Sequence, residues 1–78
     1  MDLMEFRHKS CFAHIAEFDD TATIYMIQSS EEGKGHATEL LREAQEYYKA
    51  QGKELQGSIA LNPVVAHIYR KLGIFEYV

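Results

Sequence analysis

The chain changes its hydrophobic rhythm several times, and each change marks an element. Between residues 3 and 18 apolar and polar positions alternate loosely, with Phe6, Phe12, Ile15 and Phe18 among the apolar ones, which predicts two short strands. Asp19 and Asp20 are turn formers. Thr21 to Gln28, carrying Thr23, Ile24, Tyr25 and Ile27, then has the strongest strand composition in the chain. Strands joined this tightly pair antiparallel. From Ser29 to Gly35 two serines, two glutamates and two glycines break the pattern. Ala37, Leu40, Leu41, Ala44, Tyr47 and Tyr48 follow at helical spacing and form one apolar stripe, with Gly52 as its stop. Another strand is expected between Glu54 and Leu61, supported by Ile59 and Leu61 and weakened by Gly57. Asn62 before Pro63 reads as a helix cap with proline in the first turn; Val64, Val65, Ile68 and Leu72 make that helix's apolar stripe, and Gly73 ends it. Ile74 to Val78 is apolar enough for a last strand. The order is β-β-β-α-β-α-β, an α/β fold of the α+β type with a mostly antiparallel sheet and two helices, in a single domain over residues 1–78.

Size and charge narrow the chemistry. At 78 residues the chain holds one modest core, which a ligand or a second subunit would help to stabilise. Eight Lys and Arg against twelve Asp and Glu, a net charge of −4, with the cations dispersed, argue against a nucleic-acid partner. No apolar run reaches the roughly 18 residues of a membrane span, so no membrane partner is expected. The N-terminus, interrupted early by Asp2, Glu5, Arg7, His8 and Lys9, does not read as a secretory signal. The single Cys11 cannot close an internal disulfide, and a cytoplasmic, reducing location is expected. His8, Cys11 and His14 invite a metal reading, but on extended chain His8 and His14 fall on one face and Cys11 on the other, so no metal site is expected.

Gly33 and Gly35 lie between a strong strand and a strong helix, where amides left unpaired at a helix N-terminus can bind an anion. The plain alternative is a flexible connection. No Gly-Lys-Ser/Thr follows, which excludes a P-loop, and Thr38 stands where a Rossmann fingerprint needs its third glycine.

Taken together, Ile27 to Leu41 (IQSSEEGKGHATELL) and Asn62 to Ile74 (NPVVAHIYRKLGI) resemble the GNAT superfamily of acyl-CoA N-acyltransferases. Glu32-Gly33-Lys34-Gly35-His36-Ala37 stands against that family's Arg/Gln-x-x-Gly-x-Gly/Ala loop, with Glu32 where Arg or Gln is usual. Asn62, Ala66, Tyr69 and Gly73 stand against its Asn-x-x-Ala-x-x-x-Tyr-x-x-x-Gly-Phe block. The resemblance covers roughly residues 11 to 78 and implies a shortened member without the family's N-terminal strand and helices.

That resemblance implies acetyl-CoA as co-substrate and transfer of its acetyl group to an amine on a small molecule or a protein. Gly33, Lys34, Gly35, His36, Ala37 and Thr38 would hold the pyrophosphate, and the strand end around Ile27 would stabilise the oxyanion. Asn62 would touch the pantetheine arm, and Tyr69 would protonate the departing thiolate, although an aromatic on the Val65, Ile68 and Leu72 side of a helix also reads as core packing. Glu17 and His14 are candidate general bases. The resemblance further implies helices on opposite faces of the sheet. With no front helices, some of Met4, Phe6, Phe12, Phe18, Ile24 and Met26 would then be exposed, and a homodimer is expected to cover them. The competing expectation is a non-catalytic module that binds CoA or another protein.

Overall fold

A computed structural model of the chain describes residues 2–29, 35–58 and 63–76. It contains β1 (Asp2–His8), β2 (Cys11–Glu17), β3 (Thr21–Ser29), α1 (His36–Lys49), β4 (Glu54–Gly57), α2 (Pro63–Leu72) and β5 (Phe75–Glu76), the order read from the sequence. The five strands make one sheet in chain order. The long ladders, β1 with β2 and β2 with β3, are antiparallel; the short ones, β3 with β4 and β4 with β5, are parallel. Both helices are therefore crossovers between neighbouring parallel strands. The strand expected to reach Leu61 ends at Gly57, and residues 59–61 lie outside the described residues. Ile74 is buried but precedes β5, and the last strand expected to reach Val78 is described only for Phe75 and Glu76.

The pleat sorts the sheet into two unlike faces. Cys11, Ala13 and Ile15 of β2, Ala22 and Ile24 of β3 and Leu55 of β4 point one way, and all are buried. Onto them pack Leu40, Leu41, Ala44 and Tyr48 of α1 and Ile68 and Tyr69 of α2, in a single cluster. The expectation of helices on opposite faces is corrected here. The helices touch each other, and Gln45 Nε2 of α1 donates to the Leu72 carbonyl of α2 at 3.0 Å. Two successive crossovers of one hand, stepping the same way across a sheet, put both helices on the same side.

Ile24 is fully buried and Phe6 is packed edge-on against Tyr47 and Tyr48, so neither is among the wet residues expected of an uncovered hairpin. The other face has no helix among the described residues. Leu3, Tyr25, Met26 and Phe75 are exposed there. Ala16 on that face is buried, with Leu3 and Thr23 as its partners in the two ladders.

Candidate functional site

Of the described candidate residues, Ile27, the start of α1 and Tyr69 lie toward the carboxyl ends of the parallel strands, where open sheets commonly leave a crevice. Thr21 to Ile24 of β3 pair in register with Glu54 to Gly57 of β4, and the Ser58 amide makes a last bond to the Ile24 carbonyl at 3.2 Å. β3 then continues to Ser29 with β2 on one side only, among the described residues. Its register against β2 slips at this point: His14 faces Met26 and Ile15 faces Ile24, which leaves Tyr25 as the extra residue of a bulge. A bulge bends and twists its strand locally. Among the described residues β4 follows β3 no further than Ser58, and beyond that point the Ile27 side chain is half-buried against the core, at what is taken below as an opening between the two strands.

α1 begins just past the end of β3. Gly35 is its N-cap, in the left-handed region at φ 77°, with its carbonyl accepting from the Glu39 amide at 3.1 Å. No side chain caps the helix start, so the amides of His36, Ala37 and Thr38 carry the positive end of its dipole. A Cβ on Gly35 would meet nothing within 4 Å, which shows open space above the turn. His36 Nδ1 lies 3.3 Å from Ser10 Oγ, and its ring stands edge-on to that of His8. His8 Nε2 lies 3.2 Å from Glu39 Oε2. The turn between β1 and β2 is thereby docked against the helix start. Gly33, Lys34 and Asn62 lie outside the described residues.

Tyr69 approaches the same opening from α2. Its ring lies directly on Gly57, where a Cβ would come within 2.6 Å of Cζ. Burial, with Glu76 adding to it, pushes the phenol up to about 12. The group thus stays protonated throughout the neutral range. Gly57 is the site residue that the sequence argument missed. The signal was present, since a glycine within a strand often marks close approach by another group.

Three other expectations are resolved by the geometry. Glu17 accepts a hydrogen bond from the Tyr48 hydroxyl at 2.8 Å at the opposite end of β3, and His14 lies on the face without helices, 3.0 Å from Glu5 Oε1. Neither candidate base reaches the opening. His8 and Cys11 form the last pair of the first hairpin and share a face, whereas His14 is on the other, because the turn at Lys9 and Ser10 reverses the chain. The extended-chain assignment of these three residues is corrected accordingly. A cavity of about 640 Å³ is lined by Glu17, Asp19, Asp20 and Lys53 but not by Tyr69 or the α1 start, and of the expected site residues it holds Glu17 alone.

No family model matches the chain, and no curated protein does. Among solved structures it is similar to the crystal structure of the anti-CRISPR protein AcrVA5, with a TM-score of 0.78 at 12% identity, covering 91% of this chain and 81% of that one. The comparison shows the fold. It overturns the assignment to the GNAT superfamily: the similar structure is that of an anti-CRISPR protein, and no family model supports the two motif blocks. The motif residues that are described have local causes. Gly35 serves a left-handed helix start, and Tyr69 fills the space over Gly57.

Proposed function

We propose that the protein transfers an acetyl group from acetyl-CoA to an amine at the opening between β3 and β4, in the cytoplasm and as a homodimer. The observation that carries this reading is the start of α1, left without a side-chain cap, together with a neutral buried phenol resting on Gly57 at the end of β4. The open space over Gly35 and the amides of His36, Ala37 and Thr38 suit a pyrophosphate, to which Lys34 would add its charge, and Asn62 would touch the pantetheine arm. Backbone amides of β3 around Ile27, without a β4 partner among the described residues, suit the oxyanion of a tetrahedral intermediate. As the C–N bond forms and the C–S bond breaks, the amine nitrogen sheds one proton and the sulfur takes one up.

Tyr69 serves that step as a hydrogen-bond donor to the leaving sulfur. Its pKa of about 12 lies roughly 3.5 units above an ordinary thiol, so complete proton transfer from it would be uphill by about 5 kcal/mol. The anti-CRISPR name of the structural neighbour, carried over to this chain, favours an amine on a protein. A second reading is a non-catalytic module that binds CoA or a protein, favoured by the apolar face on which Leu3 and Tyr25 are each more than 60% exposed.

Calorimetric titration with acetyl-CoA tests the first reading. Gly35→Glu should abolish binding, while Gly35→Asn, which tolerates the left-handed turn, retains it. Tyr69→Phe should lower thiol release at least tenfold with little change in affinity. No heat at millimolar acetyl-CoA overturns the proposal, and binding without turnover selects the second reading.

A further inference from the structure

β1 is an edge strand among the described residues: it pairs with β2 on one side, and its other side offers unpaired amides and carbonyls. Such an edge is a template for another strand. Its side chains alternate in a way that favours one partner. On the helix-free face it carries Glu5 and Arg7, exposed and in contact at 2.7 Å; on the helix face it carries Met4, Phe6 and His8, with the exposed Tyr47 standing edge-on to Phe6. Two copies related by a two-fold axis perpendicular to the sheet must pair residues of the same face, so a strand can only be centred on one of its own residues.

Centring on Glu5 would set the two Glu5 carboxylates against each other. Centring on Phe6 sets each Glu5 opposite the second copy's Arg7, twice, and places Phe6 against Phe6 with Met4 opposite His8. Like charges directly opposite are destabilising and unlike charges stabilising, which selects the Phe6 register. α1 packs across β1 to β4, so its axis lies inward of the edge. At a strand spacing of about 4.8 Å the two α1 helices then stand clear of one another.

We infer that two copies of this chain join edge to edge through Met4–His8 of β1, antiparallel and centred on Phe6, into one continuous ten-stranded sheet. The inference rests on the self-association included in the proposed function and names its surface. Each opening between β3 and β4 is left free, on the far side of its own sheet.

Charge reversal tests this register on the full chain. Light scattering of the parent should give twice 9.0 kDa at tens of micromolar. Glu5→Arg alone sets two pairs of cations face to face, and Arg7→Glu alone two pairs of anions. Each variant should weaken the dimer at least tenfold and run as a monomer while keeping its far-ultraviolet circular dichroism. Mixed in equal amounts, the two single variants should recover a dimer containing one of each, and Glu5→Arg/Arg7→Glu in one chain should restore the homodimer. A parent that is monomeric at hundreds of micromolar, a dimer indifferent to both reversals, or single variants that fail to recover on mixing would overturn the inference. Titrating acetyl-CoA into the parent and the variants separates the two proposals: heat with no parent dimer sinks the self-association and leaves acetyl transfer standing, and a charge-sensitive dimer without heat sinks only acetyl transfer.

Discussion

The two faces of the sheet are built from the same three long strands and differ in everything above them. On the helix face Ala13, Ile15 and Ile24 are completely buried; on the other, Leu3 is 63% and Tyr25 62% exposed. Both faces carry apolar residues. What separates them is the handedness of two short crossovers, which stacks both helices on one side. Strand alternation thus records that a residue shares a face with another, and says nothing of which face is covered. That contrast assigns stability to one face and leaves the other available for recognition.

The sharpest break of this comparison is a matched pair of truncations. Ile15→Ala should cost about 2–5 kcal/mol, because the buried side chain leaves a cavity beside Ile24 in the cluster that also holds Leu41 and Tyr48. Leu3→Ala, one ladder away on the exposed face, should stay within about 0.5 kcal/mol. Urea midpoints of the two variants provide the check, and equal losses would mean that the exposed face is covered in solution.

The covered face also titrates. Tyr69 rises to about 12 through burial, and Tyr48 is raised through burial and its hydrogen bond to Glu17. A phenol whose folded pKa exceeds its unfolded value of about 10 favours the fold fully below that pH, and the advantage is lost as the pH climbs from ten toward twelve. For Tyr69 the two units amount to roughly 3 kcal/mol. Melting temperature should therefore fall over that interval, and Tyr69→Phe should flatten the fall.

Gly57→Ala probes the same contact from the strand side. A methyl group placed inside the Tyr69 ring contact must displace α2 or bend β4, at about 1–3 kcal/mol. If Tyr69 serves acetyl transfer as proposed, thiol release should fall with it. Unchanged stability would mean that the ring does not rest on the strand.

Much of the fold was legible, for reasons visible in single residues. Pro63 opens α2, and the helices end just ahead of Gly52 and Gly73, because caps and breakers act locally. The burial of Ile24 was not legible, since it depends on which face of β3 the α1 helix covers. Nor was the sharing of a face by His8 and Cys11, which follows from a tight turn at Lys9, whose φ of 55° no sequence periodicity announces. At the candidate site the glycine turn before α1 was readable from Gly35. The partnership of Gly57 with Tyr69 was not, because it joins β4 to α2 through packing alone. Motif spacing placed Tyr69 correctly on α2 and still led to a family assignment that the structural comparison overturns.

The smallest expected effect lies on the exposed face and separates it from the covered one by pH. The Glu5 carboxyl is held below its ordinary value, first by its hydrogen bond to His14 and then by that to Arg7. A depressed carboxylate contributes stability above its unfolded pKa, and that contribution is lost as the pH falls through the folded value, so the effect belongs to the acid limb below about pH 4.5. Water screens the group, whose side chain is 42% exposed, and exposed ion pairs contribute little. Glu5→Gln should therefore change stability slightly at neutral pH, and the difference from the parent should vanish in acid. Thermal melts at pH 7 and pH 3 provide the check. A gap that widened in acid would mean that Glu5 is stabilised as its neutral form, which would remove the charge pairing on which the β1 edge contact depends.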